Sequence, residues 1–178
     1  CVLTTDGAIG CWGDNAYGQL GIGTTTSSSV PVEVPTAGTP LQGKAVVQIT
    51  AGFGHTCALT SESGMACWGL NRHAWPGIGE GAAGQLGDGS GTNSSVPVAV
   101  ATTGTLLEGT DIAELSAGLY HTCARTTDGV VACWGDNTRG QLGTGTTTQS
   151  YAPVAVTTTG TPLDGAAVAQ ISAGASGT

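Results

Sequence analysis

The chain has 178 residues, a formal net charge of −8, four Lys and Arg in all, and only 9% charged residues. So few cations exclude the clustered positive surface that nucleic acid or an anionic membrane requires, and no apolar run approaches the ~20 residues that span a bilayer. The 31 glycines fall between short, regularly placed β-branched runs, so they read as turn punctuation in an all-β protein rather than as a disordered linker.

The first predicted element is a hairpin in CVLTTDGAIGCWGDN (1–15). Thr5-Asp6-Gly7 suits a three-residue loop with Gly7 in the left-handed region. That loop pairs Thr4 with Ala8, Leu3 with Ile9, Val2 with Gly10 and Cys1 with Cys11, so the two sulfurs face each other at disulfide range. After it come Gly-Gln-Leu-Gly (18–21), a hydroxyl-rich stretch, a short strand VPVEV (30–34) and the run VVQITAG (46–52). The hairpin then returns as CALTSESGMACWGLN (57–71) and CARTTDGVVACWGDN (123–137), again followed by Gly-Gln-Leu-Gly at 84–87 and 140–143. Strands VPVAV (96–100) and APVAV (152–156) and runs IAELSAG (112–118) and VAQISAG (168–174) complete the later copies. In the middle copy the four strands are expected near 46–51, 55–60, 65–69 and 96–100. Its hairpin has Ser63 where the others have Gly, which predicts a distorted turn. No stretch keeps a 3.6-residue apolar period, so almost no helix is expected.

The first cysteine recurs at 1, 57 and 123, and a fourth would fall at 179, one past the last residue. The chain therefore reads as one repeat array, 1–178, of hairpin-to-hairpin units 1–56, 57–122 and 123–178. The middle unit carries an inserted loop, 72–83. Four short strands per period predict antiparallel β-propeller blades: about three of them, a partial propeller or a segment of a longer array. Ends that stop in the phase in which they begin suggest a window on such an array or a unit that joins head to tail. On that expectation the strand at 168–174 completes the blade of hairpin 1–12, within one longer chain or between successive copies.

The equal spacing predicts three disulfides, Cys1–Cys11, Cys57–Cys67 and Cys123–Cys133, and with them an oxidising, extracellular or cell-surface location. Zinc is the rival reading, but the spacing lacks CxxC-type ligand pairs. Trp12, Trp68 and Trp134 follow the second cysteine in every copy and are expected between blades, each indole N–H finding a partner there. His55 and His121 are expected to hydrogen-bond to backbone. Asp14, Asn15, Asp136 and Asn137 are expected to cap turns rather than bind calcium, and Gln19, Gln85 and Gln141 to satisfy loop backbone. The insertion offers Arg72, His73, Trp75 and Pro76 as a candidate contact patch. Asn93-Ser94-Ser95 is an N-glycosylation sequon, and loops 24–29 and 144–148 suit O-glycans. No nucleophile–base pair, cofactor loop or metal cluster is expected.

AGFGHTCALT (51–60) with CWGLN (67–71), AGLYHTCART (117–126) with CWGDN (133–137), and the Gly-Gln-Leu-Gly stretches resemble the regulator of chromosome condensation repeat family. The resemblance covers essentially the whole chain. It implies four-stranded blades arranged, in the best-known members, as a seven-bladed propeller. Cysteine-paired versions resemble bacterial secreted or surface proteins. The family's founding exchange-factor activity finds no matching residues here. The expected partners are a second copy, through end-to-end blade packing or strand addition, and another protein on the loops.

Overall fold

The computed structural model describes residues 1–73 and 81–178, and among these there are eleven β-strands and no helix. In chain order they are β1 (Val2–Leu3), β2 (Ile9–Gly13), β3 (Ser28–Glu33), β4 (Val46–Ala51), β5 (His55–Thr60), β6 (Met65–Gly69), β7 (Ser94–Ala99), β8 (Ile112–Ala117), β9 (His121–Thr126), β10 (Val131–Gly135) and β11 (Ser150–Ala155). They form three antiparallel sheets: β1-β2-β3, β4-β5-β6-β7 and β8-β9-β10-β11. The sheets stack face to face as consecutive blades of a partial propeller.

Hairpin register follows from the turn. In the first copy Gly7 has φ +88° and its N–H bonds to Thr4 O at 3.1 Å, while Thr4 N bonds to Ala8 O at 2.9 Å. Counting outward, Leu3 meets Ile9, Val2 meets Gly10, and Cys1 meets Cys11 at a position where the strands exchange no hydrogen bond and lie closest. The middle hairpin keeps this register, pairing Leu59 with Met65 and Cys57 with Cys67. It is not displaced by the missing glycine, because Ser63 itself takes the left-handed conformation at φ 63°.

The middle sheet is covered on both faces, which is why β5 and β6 are buried at every position. Alternate residues face neighbouring blades. Cys57, Leu59, Met65 and Cys67 face forward into a core shared with Ala124, Ala132 and Trp134 of the third blade. Ala58, Ala66 and Trp68 face back into a core shared with Ile9 and Cys11 of the first. Small alanines thus lie opposite the disulfides.

The innermost strands meet through side-chain amides. Gln48 Nε2 donates to Leu115 O at 2.9 Å, and Leu115 N donates to Gln48 Oε1 at 2.9 Å. Thr50 Oγ1 accepts from Ala117 N at 3.1 Å. The strands at 28–33, 94–99 and 150–155 each begin two residues before the expected valine-rich runs. A bulge between Cys and Gly in the partner strand pairs Gly13, Gly69 and Gly135 with Ser28, Ser94 and Ser150.

One predicted strand is absent. Residues 168–174 are not a strand, and the sheet containing hairpin 1–12 has three strands. Within the chain, 168–174 lies against the third blade instead of hairpin 1–12. Its backbone runs beside β8, with Ile171 N donating to Glu114 Oε2 at 3.2 Å and Ala173 N to Ser116 Oγ at 2.8 Å. Without a hairpin to pair with, it lacks the ladder that defines a strand.

Candidate interaction sites

The three predicted disulfides are formed, Cys1–Cys11, Cys57–Cys67 and Cys123–Cys133, each with Cα atoms 4.0 Å apart. No described cysteine is free. Each staple ties the two strands of its hairpin, just before the loop that follows the second strand.

Those loops are braced by one asparagine per copy. Asn15 Nδ2 donates to Thr24 O and Thr26 O at 2.9 and 3.0 Å, and Asn15 Oδ1 accepts from Leu20 N at 2.9 Å. Asn137 repeats this with Thr146 O, Thr148 O and Leu142 N. Asn71 does so with Ser90 O, Thr92 O and Leu86 N. Each asparagine is fully buried, so its amide replaces water for several loop groups at once. Asp14 and Asp136 each accept from the glutamine five residues on, at 2.8 and 2.7 Å. Gln19 and Gln141 then accept from the backbone N–H of Tyr17 and Arg139, both at 2.9 Å. The Asp-Asn stretch is a turn-capping network, as its residue types imply.

The tryptophans key one blade to the next. Trp68 Nε1 donates to Gln19 O at 3.0 Å and Trp134 Nε1 to Gln85 O at 3.1 Å. Each indole lies on a glycine of the preceding Gly-Gln-Leu-Gly loop: a Cβ on Gly21 would stand 2.7 Å from Trp68 Nε1, and one on Gly87 2.5 Å from Trp134 Nε1. Trp12 departs from the expectation. It is 44% exposed where Trp68 and Trp134 are 0%, because no described blade precedes it.

His55 and His121 bond across seams to side chains, not to backbone as expected. His55 Nε2 lies 2.9 Å from Thr122 Oγ1 and His121 Nε2 lies 2.8 Å from Thr178 Oγ1. Burial pushes the His55 imidazole down to about 3, and His121 adds to the effect. Burial also pushes His121 down, against the attraction of the Asp136 carboxylate. Both histidines are therefore held neutral.

The insertion is tied at its base. Arg72 and Ala82 form an antiparallel bridge, His73 N donates to Gly81 O at 2.9 Å, and Gln85 Nε2 donates to Arg72 O at 3.1 Å. His73 also reaches the third blade: Nε2 is 3.7 Å from Asp136 Oδ1, and its ring meets Tyr120 edge-on at 5.6 Å. Arg72 is exposed. Trp75 and Pro76, the other members of the predicted patch, lie outside the described residues. Asn93 of the sequon is exposed, and its Oδ1 accepts from Asn71 N at 2.8 Å. The cross-seam His–Thr pairs and the Asn71–Asn93 bond were not legible in sequence, since nothing local links residues 67 or 22 positions apart.

Stacked antiparallel blades keyed by tryptophan and stapled within each hairpin define a disulfide-bonded β-propeller segment. Residues 6–59, 77–125 and 128–178 match the regulator of chromosome condensation (RCC1) repeat model, and the chain belongs to that family. It is 32% identical over 151 residues to the human E3 ubiquitin-protein ligase HERC2, covering 85% of this chain and 3% of the ligase. It is 30% identical over 154 residues to the Arabidopsis thaliana ultraviolet-B receptor UVR8, covering 86% of this chain and 31% of the receptor. The chain thus spans under a third of either relative. In fold it is similar to Prp20p of Saccharomyces cerevisiae, described as binding Gsp1p and histones, with a TM-score of 0.75 at 18% identity over 97% of this chain and 39% of that one.

Proposed function

We propose that this chain is an extracellular or cell-surface repeat protein that presents braced loops for protein contact and associates with itself end to end. The observation that carries the reading is the bracing. Staple and buried asparagine brace the loop in each copy, seam tryptophans lock those of the first two, and the one loop that breaks the repeat is itself anchored, through His73, to the next blade. A pre-ordered loop loses little entropy on binding, which favours affinity. The extracellular placement rests on the disulfides rather than on the relatives, since paired cysteines persist in oxidising compartments. In this reading the protein is not an enzyme. Arg72, His73, Trp75 and Pro76 form the contact patch, Asn93 is open to glycosylation, and the repeat units run 1–56, 57–122 and 123–178. A discrete secreted binder of inhibitor or adhesin type is the second reading, favoured by the insertion being confined to one copy.

A photo-crosslinking residue at Arg72, displayed on intact cells of the source organism, tests the contact patch. The expected result is a defined adduct that unlabelled intact chain competes away and that a chain with 72–83 replaced by Thr-Arg, the pair found at 138–139, does not. No adduct, or equal competition by the shortened chain, would overturn the assignment.

A further inference from the structure

The chain sets four Lys and Arg against 12 Asp and Glu. Two of the four cations are engaged: Lys44 Nζ lies 3.7 Å from Glu62 Oε2, and Arg125 Nε donates to Glu114 Oε2 at 3.1 Å. The other two, Arg72 and Arg139, are exposed and have no carboxylate partner among the described residues. Each follows the second strand of a hairpin, β6 or β10, so both stand on the same loop-bearing side of the sheets. The unpaired positive charge of an acidic protein is thus gathered in two neighbouring loops.

Arg139 and His73, the neighbour of Arg72, line one cavity of about 280 Å³ together with Tyr120, Asp136 and Thr138. The Asp136 carboxylate in its wall is turned to its own loop. It is buried, and it accepts from Thr138 N, Thr138 Oγ1 and Gln141 Nε2 at 3.0, 3.1 and 2.7 Å. An aromatic row leads away from this cavity: His73 meets Tyr120 at 5.6 Å, and Tyr120 meets Phe53 at 5.7 Å. Phe53 is 52% exposed and borders a second hollow, of about 330 Å³, with Ala51, Ala117, Leu119 and Ala173. Leu119 lines both hollows. The second is walled only by Ala, Gly, Leu and Phe. A sugar hydroxyl there would find no side-chain partner, whereas an apolar side chain gives up no hydrogen bond on entering.

We propose that this surface binds an acidic peptide segment of a partner protein, with Asp or Glu side chains against Arg72 and Arg139 and an apolar side chain in the hollow beside Phe53. This rests on the contact-patch reading above and gives that patch a ligand class. A guanidinium fork matches a carboxylate with two parallel hydrogen bonds. On a chain of net charge −8 the rest of the surface repels an acidic segment, so the two arginines also fix where it docks.

A phage library of random dodecapeptides, selected on the immobilised full chain, tests this. The enriched peptides are expected to carry Asp or Glu beside a large apolar residue. Arg72→Gln and Arg139→Gln together are expected to recover those phage at least about tenfold less well. Phe53→Ala is expected to relax the apolar preference and keep the acidic one. All three side chains are exposed, so the variants keep their fold, and thermal melts check this. Enriched peptides without acidic residues, equal recovery on the double variant, or no enrichment overturns the inference. Polygalacturonate that binds through the two arginines where no peptide is enriched assigns the surface to an acidic glycan instead. Any of these results beside a competed Arg72 adduct on cells removes the ligand class and leaves the contact patch standing, while loss of that adduct as well overturns both.

Discussion

His55 Nε2 lies 2.9 Å from Thr122 Oγ1, joining the second blade to the third across 67 residues of sequence. Thr122 Oγ1 in turn donates to Gln85 O at 2.9 Å, the carbonyl that also receives the Trp134 indole. A chain of polar contacts thus runs through an otherwise apolar seam, and every member is buried.

This chain sets the pH response. His55 titrates near 6.5 when unfolded and is pushed down to about 3 when folded. The unfolded state therefore binds the extra proton as pH falls below 6.5, and stability present above that value is lost progressively toward 3. The slope is about 1.4 kcal/mol per pH unit, so His55 alone costs about 2 kcal/mol by pH 5. Urea unfolding at pH 7.5 and 5 is expected to show that loss, with His121 adding in the same direction. His55→Gln should reduce the difference.

Gly87 tests the tryptophan key. Gly87→Ala places a methyl 2.5 Å from Trp134 Nε1 on a backbone with φ +67°. Overpacking and left-handed strain together are expected to cost about 3 kcal/mol. Gly89→Ala carries similar strain at φ +81° but meets nothing within 4 Å, so it should cost only about 1 kcal/mol. Thermal melts of the two variants give the comparison.

Ser63 offers a contest between strain and hydrogen bonding. Its Oγ accepts from Ile112 N at 3.0 Å across the second seam. Ser63→Ala keeps the unfavourable φ and loses the bond, for an expected cost of about 1–2 kcal/mol. Ser63→Gly loses the same bond but relieves the backbone, so it should be the milder change. Denaturant midpoints should rank them in that order.

Much of this fold is legible in sequence because the repeat supplies its own controls. A ten-residue spacing of cysteines around a Gly-bearing turn suffices to place Cys1, Cys57 and Cys123 opposite their partners. A tryptophan in the same place in every copy points to a seam. What escaped has a physical cause each time. Trp12 is exposed because burial depends on a neighbouring blade, not on the residue. Residues 168–174 carry strand-forming side chains, yet strand structure requires a paired ladder. Ser63 does not distort its turn, because the flanking strands, buried between two blades, override the local cost. His55 reaches a threonine of the following blade, and no local pattern encodes that distance.

The staples should be individually important. Replacing Cys57 and Cys67 by alanine opens a loop closed by residues ten apart and is expected to cost about 3 kcal/mol in the chain-entropy model. Calorimetry should show a lower melting temperature than for the intact chain, and adding reductant to the intact chain should lower it further than in this variant.

The account stands on braced loops in an oxidising compartment, and the most direct measurement is a non-reducing peptide map of the protein from its source, with thiols blocked at the moment of lysis. The predicted result is three linkages, Cys1–Cys11, Cys57–Cys67 and Cys123–Cys133, with no alkylated cysteine. Alkylated thiols at these positions, or linkages between different repeats, would contradict it.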